Sequence, residues 1–270
     1  MQIISEEEPI MKKKIALVLA LTMALGVLSA CGGKKDDGTF TVGFDANFPP
    51  YGYQDETGAY VGFDLDLAAE VASRNGWEIK LQPIDWDSKD MELSSGSIDC
   101  IWNGFTMSDE RLDKYEWSEP YVDNSQVFVV GKDSGIASQA DLAGKTVATQ
   151  ADSSALEALN SEDSKDLLAS FKELTVVPDY NTAFLNLEAG AVDAVALDIG
   201  VAKYQIEARG DAYVILDDEL VSEMYGVGFL KGNTELRDAV QKTLDEMAAD
   251  GTFATIAEKW ELTDSVLLGK

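Results

Sequence analysis

The feature that most restricts this chain is an apolar run that ends in a glycine turn and gives way to a cluster of hydroxyls and acids. Ile98, Cys100, Ile101 and Trp102 form the run, Asn103-Gly104 the turn, and Thr106, Ser108, Asp109, Glu110 and Arg111 the cluster. The run reads as a buried strand. The cluster reads as a helix start, with Thr106 and Ser108 as caps and acids in the first turn. Related successions precede it. Residues 40–44 alternate as a first strand and run into the stiff turn Asp45-Ala46-Asn47-Phe48-Pro49-Pro50-Tyr51. A helix begins at Asp64 and stops at Asn75-Gly76. Residues 77–84 alternate as a strand that ends before Asp85-Trp86-Asp87, and a helix through Met91 and Leu93 leads back to the apolar run. Strand, helix, strand, helix, strand argues for a parallel sheet with crossover helices, whose ligands gather beyond the carboxyl ends of the strands. Phe48, Trp86 and Thr106 each lie just past such an end. Backbone N–H groups, a hydroxyl and the Arg111 guanidinium there suit one carboxylate. A surface arginine in an ion pair beside a plain helix cap is the other reading of the same residues.

A second, similar unit follows. Residues 126–130 and 146–149 are expected strands, and Asp152-Ser153-Ser154 opens a helix at Ala155. That helix start is either a second anion cradle or ordinary capping. Residues 174–177 are a strand, 182–188 a helix, and 191–197 (AVDAVAL) a buried strand with Asp198 at its carboxyl end. An acid there receives a ligand ammonium or caps the next helix. Residues 225–230 (YGVGFL) read as a strand with glycines, either a hinge or a return crossing. Helices over 233–249 and 251–260 would then rejoin the first unit, giving two lobes, two crossings and a cleft between.

Composition removes whole classes of chemistry. The formal net charge of −28 speaks against a nucleic-acid partner, which needs a basic patch. The chain has no histidine, so His-activated nucleophiles, His bases and His metal ligands are absent, and neither a metal nor a cofactor is expected. Cys31 and Cys100 make no disulfide framework; Cys100 reads as a small buried residue.

Residues 12–14 (KKK), the apolar run 15–30 and the small residues before Cys31 describe a secretory signal. The run is short for a membrane span. Leu28-Ser29-Ala30-Cys31 resembles a bacterial lipobox, which makes Cys31 the lipidated first residue of a membrane-anchored extracytoplasmic protein. Residues 1–10, with three glutamates, fit poorly ahead of the basic segment, so translation is expected to start at Met11. Residues 31–38 read as lipid attachment and flexible tether.

In order along the chain, DANFPPYGY, GAYVGFDLDLA, SGSIDCIWNGFTMSDER, EWSEPY, DLAGKTVATQADSSA, LEAGAVDAVALD, YGVGFLKGN and DGTFATIAEKW resemble the extracytoplasmic solute-binding proteins, family 3, of polar amino acid ABC importers. The likeness covers roughly residues 40–260. It implies a two-lobed α/β fold of the periplasmic-binding-protein type II. Each lobe would be a mostly parallel sheet flanked by helices, with residues 39–123 and 227–270 in the first lobe and 124–226 in the second. By this resemblance Arg111 grips a ligand α-carboxylate, helped by Thr106 and by Ser153 and Ser154. Asp198 takes the α-ammonium with the Gly104 carbonyl, Phe48 and Trp86 flank the side chain, and Asp45 contacts its far end. Asp152 stands where the family usually has glycine. Asp45 hints at arginine or lysine and leaves cystine and glutamine open. The implied partners are an amino acid, permease subunits and, through the lipid, a membrane; a monomer is expected. A dehydratase acting on prephenate-like or arogenate-like substrates is the enzyme alternative on this fold. A sensor domain followed by a membrane span is a third reading that the chain does not favour.

Overall fold

The parallel core expected from the strand and helix alternation is present, and antiparallel strands complete it on both sides of a cleft. The structure, a computed structural model, describes residues 38–210 and 212–269. The signal segment, the start at Met11 and the lipidation site at Cys31 lie outside the described residues. Among the described residues no helix is long and apolar enough to cross a membrane.

The first sheet runs β5-β1-β6-β14-β7, with β1 Thr39–Phe44, β5 Glu78–Pro83, β6 Cys100–Ile101, β7 Tyr115–Trp117 and β14 Gly228–Leu230. β1 pairs in parallel with both β5 and β6, so three carboxyl ends point the same way. β14 is antiparallel to β6 and β7. A small antiparallel sheet of β2 Asn47–Phe48, β3 Gly52–Gln54 and β4 Tyr60–Val61 follows β1.

The second sheet runs β10-β9-β11-β8-β12, with β8 Val122–Gly131, β9 Thr146–Gln150, β10 Glu173–Val177, β11 Ala194–Asp198 and β12 Tyr213–Ile215. β13 Val221–Tyr225 adds to the near end of β8. β9, β10 and β11 are parallel, whereas β8 is antiparallel to its partners. The fold is therefore α/β and two-lobed, with mixed rather than purely parallel sheets. The expected single strand over 225–230 divides at Gly226-Val227: β13 belongs to the second sheet and β14 to the first, which makes this stretch a return crossing. A Cβ on Gly226 would stand 2.7 Å from Met107 Sδ, so the crossing passes too close to its neighbour for a side chain.

The helix Phe63–Asn75 buries Phe63, Leu65, Leu67, Ala68, Val71 and Ala72 and ends on Gly76 with φ 69°. The helix Thr234–Asp250 buries Leu236, Val240, Leu244 and Met247 at helical spacing. It is tied back to the first helix by Arg74–Asp250 and by Asn75 Nδ2 donating to Thr243 Oγ1. Residues from both sheets share one apolar cluster, including Phe40, Val42 and Cys100 from the first and Val127, Val195 and Leu197 from the second. Each such fully buried aliphatic or aromatic side chain contributes about 1.5–3 kcal/mol. Thr39–Lys270 forms one compact unit.

Candidate functional site

Carboxyl ends of both sheets converge on one place. β1 hands on to Asp45, β5 to Trp86, β6 to Gly104 and Thr106; from the other side β9 hands on to Ser153 and Ser154, and β11 ends at Asp198. Phe48, Trp86, Gly104, Thr106, Arg111, Ser153, Ser154 and Asp198 line a single cavity together with Asn103 and Gln150. The walls are closely apposed, leaving about 10 Å³ open to the centre of a water molecule. Asp45 is not in this lining. It belongs to an adjoining cavity of about 550 Å³, which Trp86 also lines and whose other acids are Asp85, Asp87, Glu92 and Asp179.

Gly104 shows why this turn needs glycine. Its φ is +56°, and a Cβ would come within 2.8 Å of the Phe48 ring. The Gly104 N–H donates to Asp64 Oδ2 at 2.6 Å, so this N–H is not free for a ligand. Asp64 is fully buried, and burial pushes its carboxyl up to about 7.

Thr106 does not open a helix. It forms an antiparallel bridge with Tyr225, and Ser108 instead stands before the short helix Asp109–Leu112. The long-range pairing with β13 overrides the local capping signal. Thr106 Oγ1 consequently faces the cleft, 3.1 Å from Ser154 Oγ and 2.8 Å from Glu223 Oε1. Ser153 behaves as an ordinary cap: its Oγ accepts from Leu156 N–H at 3.1 Å and donates to the Gln150 carbonyl at 2.8 Å. Ser154 Oγ is the hydroxyl turned to the cavity, receiving Gln126 Nε2 at 2.9 Å.

Arg111 is 6% exposed. Its guanidinium carbon lies 5.3 Å from the Phe105 ring centroid, Nη2 donates to the Asp152 carbonyl at 3.0 Å, and Nε is 3.4 Å from Glu157 Oε2. It thus bridges from the first sheet to the helix start after β9. Asp198 is 2% exposed and makes no side-chain cap. Its Oδ1 accepts from Tyr225 Oη at 2.6 Å, Gln126 Nε2 at 2.7 Å and Asn124 Nδ2 at 2.9 Å. Burial, reinforced by the nearby Glu223 carboxylate, pushes the Asp198 carboxyl up to about 7. Asp45 accepts from Gln150 Nε2 at 2.7 Å across the cleft, and burial pushes it up to about 6.

The sequence reading missed Asn124, Gln126, Gln150, Glu223 and Lys89. Asn124 and Gln126 fall on one face of β8, as Glu223 and Tyr225 do on β13, but the unbroken polar run Asp123-Asn124-Ser125-Gln126 hides that period in the sequence. Lys89 carried no signal. It is buried, sits 5.0 Å above the Trp86 ring, and pairs with Asp152 from the opposite side of the cleft. Desolvation lowers its ammonium, while the Asp152 hydrogen bond opposes that shift.

Comparison with known proteins gives these features a context. The family model for bacterial extracellular solute-binding proteins, family 3, matches residues 40–263. The L-cystine-binding protein TcyJ of Escherichia coli K12 is 31% identical over 228 residues, 84% of each chain. The arginine-binding extracellular protein ArtP of Bacillus subtilis is 30% identical, covering 93% of this chain and 98% of its own. The crystal structure of an ABC uptake transporter substrate-binding protein from Streptococcus pneumoniae with bound histidine superposes with a TM-score of 0.80. It is 36% identical and covers 83% of this chain and 92% of that one.

Proposed function

Because the chain belongs to the bacterial extracellular solute-binding proteins, family 3, we propose that it captures a polar amino acid and delivers it to the permease of an ABC importer. The observation that carries this reading is the order of charge along the cleft. One buried guanidinium, Arg111, and one buried carboxylate, Asp198, line the same cavity, and an acidic chamber holding Asp45 adjoins it. A zwitterion is held by opposite charges at fixed spacing, and a cationic side chain fits the acidic chamber. Arg111 takes the α-carboxylate with Thr106, Ser154 and the helix start at Ser153. Asp198 and the Gly104 carbonyl take the α-ammonium, and Phe48 and Trp86 flank the side chain. Asp45 then favours arginine or lysine. The cystine, arginine and histidine named for relatives mark how widely the ligand varies around this frame.

Contacts from both sheets give the closed form differential stabilisation by ligand, and that closed form presents itself to the permease. Lipidation of Cys31 would hold the protein at the outer face of the membrane, as a monomer; Cys31→Ala would release it from the membrane fraction.

The reading is tested by a thermal-shift screen of protein stripped of carried-over ligand, against the proteinogenic amino acids, ornithine, citrulline and cystine. A ligand at about 100 times its dissociation constant adds about 2.7 kcal/mol to the folded state. Upward shifts with arginine, lysine or ornithine are expected. Shifts only with cystine or glutamine would keep the transport reading and discard the basic ligand. No shift, together with turnover of prephenate or arogenate, would replace it with the dehydratase reading.

A further inference from the structure

Asp198 is not the sole carboxylate at the ammonium end. Glu223 lies on β13, in register with Asn124 of β8. Its Oε1 accepts from Asn124 Nδ2 at 2.7 Å, Gln126 Nε2 at 2.8 Å, Thr106 Oγ1 at 2.8 Å and Ser154 Oγ at 3.2 Å. The same two amide nitrogens donate to Asp198 Oδ1. Two carboxylates, Asp198 buried and Glu223 half-buried, thus share one pair of amides. Among the described residues, neither forms an ion pair with a lysine or arginine. Like charges so placed repel strongly unless a proton or a cation lies between them.

We propose that Glu223 is a second acid of the ammonium subsite and selects ligands that carry a primary α-ammonium. This rests on the amino acid reading above and adds a residue and a selection rule to it. A primary ammonium has three N–H donors, matched by Asp198, Glu223 and the Gly104 carbonyl. An N-methylated or N-acylated amino acid lacks one or more of these donors and forfeits the matching charge-assisted hydrogen bonds.

A different role for Glu223 is to imitate a ligand carboxylate, since it holds the hydroxyls of Thr106 and Ser154. The partners of Arg111 argue against that. A carboxylate in the anion half of the cleft would pair with Arg111, whereas Arg111 turns to Glu157 and to the Asp152 carbonyl.

The test compares wild type with Glu223→Gln by titration calorimetry, using L-arginine, L-histidine and L-cystine as probes. It adds 5-guanidinopentanoate and 3-(imidazol-4-yl)propanoate, which lack the α-ammonium. Glu223→Gln is expected to weaken the amino acids that wild type binds by about 30-fold. The deaminated acids should bind both proteins within about 2-fold. Equal losses for amino acids and deaminated acids, or tighter binding of either by Glu223→Gln, would overturn the assignment. A measurement without ligand separates the two layers of the argument. Neutralising one of two facing carboxylates should raise the melting temperature of the ligand-free protein at pH 8, and an unchanged or lower value would overturn the paired-acid geometry. If wild type binds none of the proteinogenic amino acids, ornithine, citrulline or cystine, the amino acid reading fails and takes the ammonium selection rule with it, whatever the melting temperature does.

Discussion

At the scale of single residues the site depends on where one cation can go. Arg111 is buried between a ring, a backbone carbonyl and a carboxylate, so its guanidinium is held in one orientation before a ligand arrives. A planar fork that is already ordered loses little entropy on gripping a carboxylate, and a lysine cannot reproduce the paired geometry. Arg111→Ala should weaken amino acid binding by about 100-fold or more, with Arg111→Lys nearly as poor, both read by calorimetry. Normal affinity in either variant would place the ligand carboxylate elsewhere. Phe48, Trp86 and Gly104 were legible as cleft positions because each lies just past a strand's carboxyl end and Asp198 because it closes one, whereas Arg111, in the helix Asp109–Leu112, was legible from the polar cluster after the glycine turn. Thr106 does line the cleft, but not as a helix cap: its orientation comes from the bridge to Tyr225, more than a hundred positions away, which no local pattern encodes.

At the scale of elements, the helix Lys89–Ser95 and the turn after β9 close on each other through Lys89 and Asp152. Asp152 has φ 55°, a left-handed conformation that costs a residue with a side chain about 1 kcal/mol or more. The chain accepts that cost and gains an ion pair across the cleft. Asp152→Asn removes the charge but keeps a residue that tolerates the same backbone. With one partner well exposed, the pair is worth about 0.2–1 kcal/mol, so ligand release measured by stopped flow should speed up by about 5-fold at most. Lys89→Met should do the same, and the effect should shrink in high salt. Unaltered release rates in both variants would mean the pair forms without holding the cleft shut. The strands β1, β5, β6, β9, β10 and β11 and the helices Phe63–Asn75 and Thr234–Asp250 were readable from period and caps, whereas the short β7 and β12 carried no such signal. The side chains that reach between elements were not readable, because their partners depend on how the two sheets face each other.

At the scale of the whole molecule, acidity and burial act together. Asp45, Asp64 and Asp198 are raised to about 6, 7 and 7 by burial, above the ordinary aspartate range. Between pH 4 and about 7 the folded chain therefore binds more protons than the unfolded chain, and stability falls as pH rises through that window. The overall charge of −28 adds repulsion of the same sign. Ligand-free protein should melt at a higher temperature at pH 5 than at pH 8. The shift produced by a saturating amino acid should be smaller at pH 5, because the ammonium needs the ionised form of Asp198. A melting temperature that peaks at pH 8 without ligand would show that these three acids do not control the transition.

The second sheet is built from one uninterrupted stretch, from β8 to β13, set between strands of the first. Arg111 and Asp45 lie outside that stretch; Ser154, Asp198 and Glu223 lie within it. In a gene, two recombination points near Tyr121 and Gly226 would exchange the inner stretch as a cassette. Arg111, Thr106 and Asp45 can thus descend from one ancestor and Ser154, Asp198 and Glu223 from another, so that a lineage can revise one wall of its cleft while keeping the other.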